Sequence, residues 1–204
     1  MNYRLKSIYS VLKQRRLDAL LVTWPANISY LTQALSRDSY LLVSPPENIY
    51  FTDSRYTEEA RIFLKGNAQL KECNGSAFGQ IAKSILGLKL KKVGFEERYL
   101  PFAELSKVKE YAPGKFDLIP THSLVEDKRA IKDSQEIDKL RQAADITALA
   151  LEHIQQYLVP GVKELEIVGE LERFIRYQGA RAAAFDIIVA SGPNSSQPHH
   201  SSGE

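Results

Sequence analysis

The sequence predicts an α/β protein: a mixed sheet flanked by helices over about the first 128 residues, then a second domain led by helices. Three observations carry this. Short β-rich runs alternate with amphipathic stretches as far as Ile119, the pattern of a sheet covered by helices. Two of those runs are joined by Ser44-Pro45-Pro46-Glu47-Asn48 and read as a hairpin, which places an antiparallel pair inside the alternating order. Beyond a charged stretch near residues 121–132 the pattern changes to two long amphipathic helices and one apolar run.

Leu5, Ile8 and Leu12 fall on one face of a helix over residues 3–16. The run Ala19-Leu20-Leu21-Val22 is the first strand; it ends near Trp24, where Pro25 stops it, and Ile28, Tyr30 and Leu31 suggest a short helix behind it. Residues 40–43 and 49–52 form the hairpin. Asp53-Ser54 has the chemistry of a helix N-cap and opens a helix through about Leu64 that closes at Gly66. Residues 68–72 read as a strand, 78–86 as a helix, 92–95 as a strand, 101–111 as a helix and 116–119 as the last strand of the domain. Glu126-Asp127-Lys128-Arg129 and Lys132-Asp133 make a charged connection, which divides the chain into domains 1–128 and 129–204.

Asp133 or Ser134 caps the next helix, with Glu136 spaced as in a capping box. Ile137, Leu140, Ala144, Thr147, Leu151, Ile154 and Leu158 then form one stripe to be buried, and Pro160-Gly161 ends the helix. A helix over residues 164–178 carries Leu165, Val168, Leu171 and Ile175. Residues 185–190 read as a buried strand and Ser191-Gly192-Pro193-Asn194 as a turn. Two helices and a strand do not enclose a core. The stripe gains stability only when covered, at about 25 cal/mol per Å² of apolar surface. The expectation is that the first domain, another chain or a continuation covers residues 133–204, and that residues 185–204 are weakly protected from exchange.

Composition narrows the function classes. The chain has 204 residues, 44% of them apolar and 25% charged, which excludes a disordered, collagen-like or disulfide-rich protein. The 27 Lys and Arg against 25 Asp and Glu leave +2, too little to draw in nucleic acid or a membrane by long-range attraction. Cys73 is the only cysteine, so neither an internal disulfide nor a cysteine-based zinc site can form. No run approaches the ~18 apolar residues of a membrane span, and the N-terminus lacks a signal's apolar core. A cytoplasmic location is expected.

Tyr30-Leu31-Thr32 and Phe51-Thr52-Asp53-Ser54-Arg55-Tyr56 resemble the N-terminal domain of the creatinase, prolidase and Xaa-Pro aminopeptidase family. Arg129-Ala130-Ile131-Lys132-Asp133, Glu136-Ile137 and Leu140-Arg141-Gln142-Ala143-Ala144 resemble the entry helix of its catalytic domain. Pro160-Gly161, Glu164, Glu166, Ala184-Phe185-Asp186, Ile188-Val189-Ala190-Ser191-Gly192 and Asn194-Ser195-Ser196-Gln197-Pro198-His199 continue the match in order. The resemblance implies a creatinase-type N-terminal domain followed by the first third of a pita-bread α+β domain. It also implies a dimer acting on proline-containing peptides, whose Xaa–Pro bond is a tertiary amide without an N–H. In the complete family member two divalent metal ions (manganese, cobalt or zinc) activate the attacking water. Their ligands, two Asp, one His and two Glu, lie downstream of the Pro-His segment, so none of the five positions is in these 204 residues. His199 matches the family's substrate histidine and is the candidate catalytic and substrate-binding residue; Phe185 matches a position near the substrate pocket.

Other readings of the same residues are blander. His199-His200 with Glu204 as a private metal site puts three donors within six residues, an adventitious arrangement, and no metal site is assigned. His200 is read as a neighbour of the functional histidine, His122 and His153 as surface residues, Asp53-Ser54-Arg55-Tyr56 as a strand end, a cap and a local ion pair, and Trp24 as packing. Asn194-Ser195-Ser196 either orients substrate or builds a polar turn. Cys73 has no activating base in sequence. Two functional classes follow. One is an incomplete Xaa-Pro aminopeptidase or dipeptidase, inactive as this chain. The other is a non-catalytic protein- or peptide-binding module of the same fold.

Overall fold

In the computed structural model, which describes residues 2–35 and 37–203, the apolar runs of the first unit, Met1–Ile131, pair into one sheet. Its strands are Ala19–Val22 (β1), Tyr40–Val43 (β2), Ile49–Thr52 (β3), Gln69–Glu72 (β4), Lys92–Glu96 (β5) and Asp117–Thr121 (β6), in the order β4-β3-β2-β1-β5-β6. The hairpin makes β2 antiparallel to both β1 and β3. The remaining pairs, β1 with β5, β3 with β4 and β5 with β6, are parallel. The sheet is mixed, as the alternation with one hairpin predicts.

Both faces are covered, and that is why β1 reads as an unbroken apolar run. Leu20 and Val22 pack with Leu5, Ile8 and Leu12 of α1 (Tyr3–Arg15), Ile28 and Leu31 of α2 (Pro25–Thr32) and Ala60 and Leu64 of α3 (Thr57–Leu64). Ala19 and Leu21 face the other way, toward Phe78, Ile81 and Ile85 of α4 (Ala77–Gly87) and Val108 of α5 (Phe102–Tyr111). The sheet edges are blunted by composition: β4 is Gln-Leu-Lys-Glu, and β6 carries Pro120, which cannot donate to a further strand. Gly94 in β5 has no space for a side chain, since a Cβ there would lie 2.9 Å from Thr121 Cγ2 and 3.0 Å from Leu17 Cδ1.

Three local expectations change. Pro25 does more than end β1: it is the first residue of α2, where its missing N–H costs nothing. Ser54 caps no helix; α3 starts at Thr57, and Asp53 instead accepts from Arg55 Nη2 at 2.6 Å while Thr57 Oγ1 donates to the Asp53 carbonyl at 2.9 Å. The charged run read as a connection is a short helix, α6 (Glu126–Ala130), and belongs to the first unit.

The second unit, Lys132–Glu204, is built on α7 (Ser134–Ile154) and α8 (Glu164–Tyr177). The capping box forms: Glu136 N donates to Asp133 Oδ1 at 2.9 Å and Asp133 N to Glu136 Oε2 at 3.0 Å. Ala150, Ile154 and Ile167 are buried in this unit. The rest of the stripe is not covered. Leu140, Leu151 and Leu158 are 57%, 59% and 60% exposed, and Ile137, Ala144 and Thr147 are exposed with them. Within its own unit α7 packs on α8, and these stripe residues are exposed.

Residues 185–190 form no strand. A strand is defined by the neighbour that takes its N–H and C=O groups, and among the described residues no other strand lies in this unit. Phe185 and Ile188 are 79% and 48% exposed, against the expected burial. His153, expected at the surface, instead stacks on Phe174 of α8 at 4.1 Å and bonds Glu170 Oε1 at 2.6 Å, tying the two helices together. His122 is exposed beside Glu97 at 2.9 Å.

Leu21→Ala should lower the stability of the first unit by about 2–5 kcal/mol, because Leu21 is fully buried at the sheet centre and little around it can collapse. Urea denaturation checks this. A loss below about 1 kcal/mol would show that this core is looser than its packing implies.

Candidate functional site

The segment that carries the sequence candidates, residues 185–203, is ordered by side-chain hydrogen bonds in place of a ladder. Its centre is Glu164, the first residue of α8 and buried. Oε1 accepts from Ser191 N at 2.8 Å, Asn194 Nδ2 at 3.0 Å and Ser191 Oγ at 3.3 Å. Oε2 meets His200 Nε2 at 2.6 Å and accepts from Gly203 N at 3.2 Å. Ser202 adds a second tie, since its hydroxyl donates to the Val189 carbonyl and accepts from the Val189 N–H, both at 2.9 Å. Residues 192–196 form a 3-10 turn between these anchors.

So many donors stabilise the ionised carboxylate. The Asn194 amide, then His200 and the Ser191 N–H, hold the Glu164 carboxyl down at about 2, against the opposing effect of burial. Glu170 on α8 is likewise held at about 2, chiefly by Arg173 and then by His153.

The first unit has a carboxylate of the opposite kind. Glu96, at the end of β5 and buried, accepts from Thr23 N at 2.6 Å and Trp24 N at 2.8 Å, the two N–H groups leading into α2, and from Asn27 Nδ2 at 2.5 Å. Asn27 also donates to Glu126 Oε1 and accepts from Arg129 Nη1, each at 3.0 Å. The Arg129 guanidinium lies over Trp24, whose other partner is Tyr99, stacked at 4.3 Å. Burial pushes the Glu96 carboxyl up, more strongly than these bonds pull it down. The knot ties the end of β5 to the start of α2 and to α6.

An open cavity of about 190 Å³ is lined by Asp38, Tyr40, Thr52, Asp53, Cys73, Gly75 and Ala77. Burial raises the Cys73 thiol and, with Glu104 and Asp38 nearby, pushes the Tyr40 hydroxyl up to about 12. Neither is an activated nucleophile at neutral pH.

His199 is exposed and Phe185 is exposed, and neither takes part in the hydrogen bonds that order the segment. His200 does, and so does Asn194, whose amide serves the fold of the turn. Glu204 of the private metal site lies outside the described residues. Among the described residues no group of three His, Cys, Asp or Glu side chains is placed to hold a metal ion. No helix among them is long and apolar enough to cross a membrane. Glu164 was legible only as one residue of a motif; the spacing Lys163 to Glu166 marks the helix start, but nothing local marks Glu164 as the partner of residues 27–39 positions away.

The family model of the creatinase/prolidase N-terminal domain matches residues 4–131, and that of metallopeptidase family M24 matches residues 138–204. The uncharacterized peptidase YqhT of Bacillus subtilis is 35% identical over 199 residues, 96% of this chain and 55% of that protein. The Xaa-Pro dipeptidase of Pyrococcus horikoshii is 26% identical over 204 residues, 98% of this chain and 55% of that protein. Among solved structures, the Xaa-Pro dipeptidase from Bacillus anthracis aligns with a TM-score of 0.91 at 35% identity, over 99% of this chain and 56% of the other. The chain spans about half the length of the curated relatives it matches.

The Glu164 carboxyl ordinarily titrates at 4.5 and here near 2, so its stabilising contribution is complete above pH 4.5 and is lost as pH falls toward 2. Wild-type protein should melt at a higher temperature than Glu164→Gln at neutral pH, and the gap should shrink over that window. A gap undiminished at pH 2 would contradict this role.

Proposed function

This chain belongs to the creatinase/prolidase N-terminal domain family, and we propose on that premise that its 204 residues are the N-terminal portion of an Xaa-Pro aminopeptidase or dipeptidase. The observation that carries this reading is the consecutive match of two family models, 4–131 and then 138–204, in one chain. The Xaa-Pro dipeptidase names of its relatives support the substrate class, peptides with proline after the scissile bond.

In this reading residues 1–128 are the creatinase-like domain and 129–204 the start of the metallopeptidase domain. The protein works in the cytoplasm as a homodimer. His199, exposed at the end of the Pro-His segment, hydrogen-bonds the substrate, and Phe185, also exposed, contacts its apolar side chain. Glu164 holds the segment that carries His199. The two divalent ions of the family would activate the water, but the described residues offer no donor set that fits them. No catalytic step is therefore assigned to this chain, which supplies substrate-side groups alone. A second reading, a non-catalytic protein- or peptide-binding module, is favoured by the open stripe of α7.

The purified 204-residue chain should release no proline from an Xaa-Pro dipeptide in the presence of manganese, cobalt or zinc. Clear turnover that a chelator abolishes would overturn the reading.

A further inference from the structure

The Glu164–His200 pair does more than fasten the chain. A carboxylate whose oxygens both accept from Ser191, Asn194 and Gly203 can only accept from an imidazole as well, so the proton between Oε2 and Nε2, at 2.6 Å, sits on Nε2. Both side chains are nearly enclosed, His200 at 13% and Glu164 at 8% exposure, which leaves the ring little freedom to flip. Among the described residues the other ring nitrogen, Nδ1, has no hydrogen-bond partner. In a neutral imidazole with one nitrogen donating, the other carries an oriented lone pair, and a carboxylate behind the ring fixes which one. His199, the adjacent residue, is exposed and has no such support among the described residues.

We propose that Glu164 is a positioning residue that locks His200 as the Nε2–H tautomer and presents its Nδ1 as the hydrogen-bond acceptor for an N–H donor of a bound peptide. This deepens the reading of residues 185–203 as a substrate-side element and rests on it. Glu164 touches no ligand; it acts through the ring. The inference shifts the oriented histidine of the Pro198-His199-His200 segment from the first to the second, while His199 keeps the exposed position. No bond is made or broken by the pair, so no co-reactant is needed.

Long-range proton–nitrogen NMR of the ¹⁵N-labelled 204-residue chain, at about pH 8 where imidazole is neutral, reads the tautomer directly, without any variant that could fail to fold. One His200 tautomer is expected, with a slowly exchanging Nε2–H and a non-protonated Nδ1. In Glu164→Gln the slow exchange of the ring proton should be lost. Adding the dipeptide Ala-Pro, whose terminal amine is its only N–H donor, should then move the Nδ1 resonance of the wild-type chain. A substantial Nδ1–H population in the wild-type protein would overturn the proposal. If Ala-Pro moves other resonances in residues 185–203 and leaves Nδ1 unchanged, the proposal falls and the peptide reading stands. If Ala-Pro moves nothing in the chain, the peptide reading falls and takes the acceptor role with it.

Discussion

The second unit depends on one carboxylate that accepts hydrogen bonds from residues as far as 39 positions along the chain. Glu164 opens α8, where the first-turn N–H groups and the helix dipole favour a negative charge. It spends that charge on Ser191, Asn194, His200 and Gly203. Residues 185–190 have apolar side chains suited to a sheet but no strand beside them among the described residues. Without a ladder, each backbone group would have to be met by solvent or by a side chain. Glu164 and Ser202 meet those of Val189, Ser191 and Gly203, and in doing so they set the path of the segment on which the candidate histidines sit.

Glu96 shows how the same side chain behaves when the balance tips the other way. Both carboxylates are buried and both collect backbone N–H groups at a helix start. Glu164 is held down first by the Asn194 amide and then by His200, and hydrogen bonding wins. For Glu96 burial is the largest effect and wins, with the like charge of Glu126 adding a little to it. The first knot joins sheet and helix inside an already covered core, whereas the second replaces a core. The first unit can thus lose a hydrogen bond and keep its sheet, because apolar packing on both faces holds it. The second, among its described residues, buries Ala150, Ile154 and Ile167 and adds the His153–Phe174 stack.

What could be read from the chain alone follows from range. Ala19–Val22 and the Tyr40–Val43 and Ile49–Thr52 hairpin were legible because composition and loop chemistry are local, and so was the Asp133–Glu136 capping box. The start of α3 was misplaced because Asp53 has two local options, a cap or a pair with Arg55, and the pair formed. The stripe from Ile137 to Leu158 correctly announced a helix, but periodicity states which face is apolar and not whether anything covers it. Residues 185–190 have strand composition without a strand's neighbour. Glu96 and Glu97 are identical in type and adjacent, and only the sheet decides that one is buried and the other exposed. His200 was read as a neighbour of His199, which the family resemblance singled out, and its bond to Glu164, 36 residues away, left no local sign.

Amide hydrogen exchange at neutral pH on the 204-residue chain tests most directly whether Glu164, in place of a β-ladder, orders this segment. In place of the weak protection expected from the sequence across residues 185–204, the account predicts slow exchange at Ser191 and Gly203, whose N–H groups Glu164 accepts, fast exchange at Ile188, and loss of the Ser191 and Gly203 protection in Glu164→Ala while Leu21 in β1 stays protected. Exchange at Ser191 and Gly203 as fast as at Ile188, or protection unchanged in the variant, would contradict it.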